Sequence, residues 1–262
     1  MHRLVGLLVA AAVLTPTAGG AQVRPHRAEY ALRLGIAANA PRIGTAVQDL
    51  AQDCNGWHIK RDIKSEIAIT SSWKMSLGSR LDGQEARDGH AFRFGTVQTQ
   101  NGSERSLKGK VQRERGELRA ELTQAGSPPS QFVLPPPTLM PVAAIDHLIN
   151  RLEAKAASFP ALMFDAEVIG DAFLVEITEQ ERGKLRAARP ADEKMTPGGK
   201  SWPVFMSFTR GREQTQRPLF TVGALVYENG VLDRLTVDTG LVTVTADLQA
   251  LEIRPAPTCP RS

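Results

Sequence analysis

The stretch Ala91–Leu122, AFRFGTVQTQNGSERSLKGKVQRERGELRAEL, decides the fold class. Ala91 to Gln100 reads as a strand that stops at Asn101-Gly102. That dipeptide favours the positive φ values of a tight hairpin turn. Leu107 to Gln112 and Glu117 to Leu122 continue the run, with Arg115-Gly116 as the next turn. Strands joined by such short turns form an antiparallel meander.

The same reading extends in both directions. Upstream, Trp57 begins a strand in which Trp57, Ile59, Ile63, Ile67 and Ile69 are apolar and the even positions mostly polar. A period of two puts those residues on one sheet face. Downstream, Pro128, Pro129, Pro135, Pro136 and Pro137 exclude a central strand between Ser127 and Pro141. A helix follows. Thr138 is its expected cap, and Pro141 suits its first turn. Val142, Ile145, Ile149, Leu152 and Ala156 recur at helical spacing as one apolar stripe, with Arg151 and Lys155 late in the helix. Strands resume over 164–169, 171–178, 202–208, 218–227, 232–237 and 241–251. The basic stretch 183–200, with Pro190, Pro197, Gly198 and Gly199, reads as a mobile surface loop. A mainly β chain with a dozen or so short strands and one inserted amphipathic helix predicts a barrel or an unclosed curled antiparallel sheet.

The chain has 262 residues, 42% hydrophobic and 23% charged, which is ordinary for one globular β domain. Its formal charge of +4 is mild and the signs are interspersed, so no nucleic-acid partner is implied. The first residues set the compartment. Arg3, the apolar run Leu4–Leu14, the break at Pro16 and the small residues Gly19-Gly20-Ala21 have the layout of a secretory signal peptide. The run is too short for a permanent membrane span. Residues 1–21 are therefore expected to be removed, leaving 22–262 as a single periplasmic domain with no transmembrane segment. Cys54 and Cys259 are the two cysteines, and an even, small number in an exported chain suggests one disulfide.

Little in the chain points to catalysis. His26, His58, His90 and His147 have no partner at i+4 and no His-Glu-x-x-His context, so spacing supports no metal site and no cofactor. No Gly-x-Ser-x-Gly elbow exists. Ser71-Ser72-Trp73-Lys74 matches Ser-x-x-Lys, but it follows a strand rather than opening a helix. Chance supplies roughly half such a match in a chain with this much serine and lysine. Trp57 and Trp202 sit at strand starts and read as packing residues, whereas Trp73, in a polar loop, is the candidate for an exposed contact. No catalytic residue and no ligand-binding residue is assigned.

Six motifs in order resemble the EipB-like cell-envelope integrity family, a bacterial periplasmic family. They are His26-Arg27-Ala28-x-Tyr30, Cys54-Asn55-Gly56-Trp57, Leu134-Pro135 through Thr138-Leu139-x-Pro141, Ser201-Trp202-Pro203-Val204, Tyr227-Glu228-Asn229-Gly230-Val231, and Leu251-Glu252-x-x-Pro255 with Cys259-Pro260. The resemblance implies a β-spiral, an incompletely closed barrel with helical additions. It implies a disulfide between Cys54 and Cys259, which would join an early strand to the last one and so tie the two ends of the sheet. It also implies a role in envelope homeostasis without a known reaction, and a periplasmic tetratricopeptide-repeat protein as partner. Two positions depart from the family pattern: Thr239 stands where an aromatic is expected, and Asp165-Ala166-Glu167 where a Gly-Ser turn is expected.

Three functions follow in order of support: an interaction or scaffold protein of the envelope, a carrier of a lipid, lipopeptide or peptide ligand in a curved groove, and a hydrolase of envelope polymers. A deep apolar cavity would favour the carrier, and a groove filled by the protein's own helix the scaffold. The leader makes its own prediction. N-terminal sequencing of protein from the native host begins at Gln22; a cytoplasmic chain that retains Met1 contradicts both the compartment and the disulfide argument.

Overall fold

The computed structural model describes residues 22–68, 72, 74–167, 170–189, 197–211 and 217–260. Eight strands come first: β1 (His26–Leu34), β2 (Arg42–Gln52), β3 (Gly56–Ala68), β4 (Lys74–Ala86), β5 (Ala91–Gln100), β6 (Ser103–Glu114), β7 (Glu117–Gln124) and β8 (Ser130–Leu134). The helix α1 (Pro141–Glu153) follows. Six more strands follow among the described residues: β9 (Ser158–Asp165), β10 (Asp171–Glu179), β11 (Ser201–Arg210), β12 (Phe220–Tyr227), β13 (Leu232–Asp238) and β14 (Thr243–Ile253).

The turns form where their residues require them. Asn101 and Gly102 hold φ of 48° and 83° between β5 and β6, the pair of positive values a two-residue hairpin needs. Arg115 and Gly116 repeat this between β6 and β7, at 50° and 86°. All fourteen strands lie in one antiparallel sheet, in the order β8-β7-β6-β5-β4-β3-β2-β1-β14-β13-β12-β11-β10-β9. The sheet thus begins and ends in mid-chain. Its edges, β8 and β9, are consecutive strands separated by α1, while β1 and β14 pair in the middle of the sheet. No ladder joins β8 to β9, so the sheet is curled but not closed. Leu139, ahead of α1, makes one parallel bridge to Met163 on β9: its N–H donates to the Leu162 carbonyl and its own carbonyl accepts from Phe164, both at 2.8 Å.

One apolar cluster joins α1 to the inward side chains of β3 through β12. The helix buries Val142, Ala144, Leu148, Ile149 and Leu152. Ile145 of the expected stripe is only half-buried, and Ala144 and Leu148 widen the buried face. Phe92 and Phe94 on β5 meet Phe164 on β9 at 6.2 and 5.5 Å, so the two halves of the sheet pack on each other across the interior. Gly83 makes this possible, because a Cβ there would lie 2.7 Å from the Phe92 ring.

Three sequence expectations need correction. Thr138 does not cap α1. The cap position is Met140, which offers no side-chain bond, and the first N–H groups are satisfied by a carboxylate from β4 instead. Within 183–200, the described residues 185–189 are not a loose surface loop. Arg186 and Arg189 both pair with Asp247 on β14, and Arg189 is 3% exposed while Asp247 is 2% exposed. Arg189 also donates to the carbonyls of Gly35 and Ala37. A buried carboxylate that recruits two guanidiniums pins the segment, since exposure of any one of these charges without the others would leave an unpaired buried ion.

The third correction concerns the disulfide. Cys54 and Cys259 are bonded, with their Cα atoms 5.5 Å apart. They do not tie the two ends of the sheet, which are β8 and β9. Cys54 lies in the β2–β3 turn and Cys259 in the tail beyond β14, so the bond fastens the tail across β1 and β2. Arg254 prepares the crossing: its N–H bonds to the Pro25 carbonyl at 2.8 Å and its guanidinium forks onto Asp49 at 2.7 and 3.2 Å. The bridge spans 205 residues of sequence. Loss of either cysteine is expected to cost about 2–5 kcal/mol by release of the unfolded chain. In thermal melts Cys54→Ser and Cys259→Ser fall equally and the double variant falls no further; additive losses would show that the two residues act separately.

Candidate functional site

Cross-strand register fixes which residues look inward. One row runs Trp57, Glu85, Phe92, Val111 and Ala120 across β3 to β7. The next inward row runs Ile59, Gly83, Phe94, Gly109 and Leu122. Two rows further along the strands the residues become Ile63, Ser79, Gln98 and Arg105. The interior therefore has an apolar end, where α1 sits, and a polar end at the opposite turns. Each end is organised by one carboxylate.

At the helix end that carboxylate is Glu85, only 3% exposed. Its two oxygens accept from the N–H groups of Val142 and Ala143, at 2.7 and 2.8 Å. The first N–H groups of a helix have no partner within the helix, and their positive end favours an anion. Glu85 thus does from β4 what an N-cap side chain does locally, and it fastens α1 to the sheet wall. Burial pushes its carboxyl up to about 7, with the two N–H donors acting against that rise and Asp146 adding to it. Asp146, on α1, accepts from Val23 N–H at 3.1 Å and is itself pushed up by burial.

At the polar end the carboxylate is Glu167, in the β9–β10 turn. Its side chain is 9% exposed and pairs with Arg61 on β3. It also accepts from Ser79 Oγ at 2.7 Å, and its backbone carbonyl accepts from Gln98. Arg61 donates further to Gln48 at 3.3 Å. This network draws the β9–β10 turn onto β3, β4 and β5, across the interior from the seam. Beside it lies a cavity of about 300 Å³, lined by Thr96, Gln98, Leu107, Leu122, Gln124 and Glu167 among others. Its walls mix amides, a carboxylate and leucines, so it offers hydrogen bonds and limited apolar contact to a small group.

The structure separates the residues singled out in the sequence. His58 is half-exposed and bonds Asp53 at 2.8 Å. His90 lies beside Asp88, and His147 meets the Phe159 ring at 6.0 Å. His26 is fully buried, and its Nδ1–H donates to the Arg24 carbonyl at 2.8 Å. Burial lowers its pKa, which suits a neutral packing residue. These four do not converge, and among the described residues no group of three His, Cys, Asp or Glu is placed to hold a metal ion. Ser71 and Trp73 lie outside the described residues. Lys74 pairs with Glu66 at 2.7 Å, and that carboxylate raises its pKa, the opposite of what a general base requires. Trp57 is buried and Trp202 packs on the core as expected. Glu85, Glu167 and Arg61 were not singled out. The one trace of them was the departure at Asp165-Ala166-Glu167, where this chain has a carboxylate in place of a Gly-Ser turn.

Comparison with known proteins agrees with this architecture. The model of a family described as EipB-like matches residues 17–255. The cell envelope integrity protein EipB of Brucella abortus (strain 2308) is 24% identical over 247 residues, covering 90% of this chain and 86% of that protein. The crystal structure of a β-barrel-like protein of a domain of unknown function, also from Brucella abortus, superposes with a TM-score of 0.76. That match has 20% identity, and it covers 90% of this chain and all of the other. Among the described residues no helix is long and apolar enough to cross a membrane.

Glu85 generates a pH prediction. Its ordinary value is 4.5, and the fold raises it to about 7. Between those values the unfolded chain releases the proton first, so stability falls as pH rises, by about 3 kcal/mol at most. Urea denaturation should show that fall in the natural protein and a flatter profile in Glu85→Gln; parallel profiles would mean that Glu85 does not carry the dependence.

Proposed function

The chain belongs to the EipB-like family, and from that premise we propose that it supports envelope integrity from the periplasm without catalysis, through contact with another protein. Its relative in Brucella abortus is named for the integrity of the cell envelope. The observation that supports a surface-borne role is the filled apolar end of the interior: α1 and the inward aromatics occupy the space a carrier would leave for an acyl chain. A protein whose concave face is spent on its own helix has its outer face and its turns left for function. The surface is rich in exposed charged side chains of both signs, such as Lys60 with Asp82 and Arg119 with Glu117, which favours specific protein contact over nonspecific adsorption. A periplasmic tetratricopeptide-repeat protein is the partner proposed.

The cavity beside Glu167 favours a second reading, in which a lipid headgroup or a short peptide is held there. One experiment separates the two. A strain that lacks the protein is complemented with Leu107→Trp, which fills the cavity, and is challenged with detergent and cell-wall antibiotics. The surface reading predicts full restoration of resistance by this variant. If it fails at normal protein level and melting temperature while the natural chain succeeds, the function belongs to a cavity ligand.

A further inference from the structure

Beyond this reading, we propose that the turns at the polar end of the sheet dock the protein on an anionic lipid surface. Four large apolar side chains stand exposed there on neighbouring turns. Leu241, at the β13–β14 turn, is 94% exposed, and Val242 beside it is 39% exposed. Ile36, in the β1–β2 loop, is 63% exposed, and Leu219, ahead of β12, is 41% exposed. The sheet order places these described residues on neighbouring strand ends. The Gly35 N–H bonds the Thr243 carbonyl at 2.8 Å, which joins the Ile36 loop to the Leu241 turn. Asp238 pairs with Thr221 on β12, which sets Leu219 just beyond that same turn. Few large apolar side chains are exposed elsewhere among the described residues: Val133, Phe205 and Ile253, which are scattered over three separate strands.

The charge around the tips selects the occupant. Arg42 opens β2 directly after the Ile36 loop, and Arg217 precedes Leu219 by two residues. Both are exposed, and among the described residues neither has an ion-pair partner. Asp238, an acidic neighbour on this rim among the described residues, accepts the Gly240 N–H at 2.8 Å inside its own turn. Separate aliphatic side chains on projecting turns, flanked by free guanidiniums, suit a fluid interface that closes around each projection. They do not make the flat continuous patch that a protein partner would bury. Apolar insertion and attraction to anionic headgroups add together in such binding. The opposite end of the interior is plugged by α1, so docking would turn the polar end toward the bilayer. The inference does not depend on what occupies the cavity or on which protein the chain contacts.

The test is co-sedimentation of the mature full chain with vesicles. The natural protein should pellet with phosphatidylethanolamine–phosphatidylglycerol vesicles, less with phosphatidylcholine alone, and less at high salt. The double variant Ile36→Asp, Leu241→Asp should lose about tenfold or more in partitioning at an unchanged melting temperature. The pair Arg42→Glu, Arg217→Glu should lose the preference for phosphatidylglycerol. The proposal is overturned if the natural protein stays in the supernatant, or if the aspartate variant pellets as the natural protein does. It is equally overturned if the natural chain forms a dimer that the aspartate variant breaks, with no vesicle binding, since a second copy would then be the occupant.

Discussion

Every strand at the edge of a sheet carries amides and carbonyls that must find water or a partner, and an open edge invites pairing with other chains. A sheet of fourteen strands that curls without closing has two such edges lying near each other. In this protein both fall in mid-chain, at β8 and β9, with α1 as the link between them. The rest of the architecture follows from how that seam is managed. The proline-rich approach keeps β8 to five residues. Leu139 then supplies a single bridge to β9, and α1 is laid into the apolar interior rather than out in solvent. Because the edges are in mid-chain, the first and last strands meet at the centre, where β1 and β14 pair and the tail is fastened to the β2–β3 turn.

This arrangement gives the two ends of the interior different tasks. Glu85 holds the helix by its first N–H groups, at the cost of a buried carboxylate. Glu167 holds the turn after β9 through Arg61 and Ser79. Each bond connects elements that no direct ladder joins: β4 to α1 in one case, the β9–β10 turn to β3 and β4 in the other. These cross-connections tie the curled sheet together without a closed barrel. The latch of Arg186 and Arg189 on Asp247 extends the same logic to the outside, where it fixes the segment after β10 over β14.

Much of the sheet was legible because its signals are local. Asn101-Gly102 adopts the turn its residues favour, β5 has the bounds read for it, and Pro141 lies in the first turn of α1 as expected. Other strands were hidden for a physical reason. β4 was not read as a strand; it contains Gly78 and Gly83, residues that weaken a strand on their own, yet Gly83 is there because the Phe92 ring lies against it in the folded sheet. The Thr138 cap failed because the actual cap, Glu85, lies far away in sequence and close only in the folded state. Glu167 left only the trace of the departure at 165–167, since its role depends on Arg61 and Ser79 arriving from two other strands. The disulfide pairing was legible from resemblance, but its mechanical meaning was not, because the position of the sheet edges is a property of topology.

The central claim is that α1 is a fixed part of the interior, held by Glu85 and packed by Ile149 and Leu152, and is not a lid over an empty groove. Native-state hydrogen exchange on the oxidised protein tests this most directly. Amides in the second half of α1, from Leu148 to Leu152, should exchange as slowly as those of the central strands β1 and β14, and should open only with global unfolding. Exchange of those amides at the rate of the exposed turns, with the central strands still protected, would contradict the account and make the helix a movable cover.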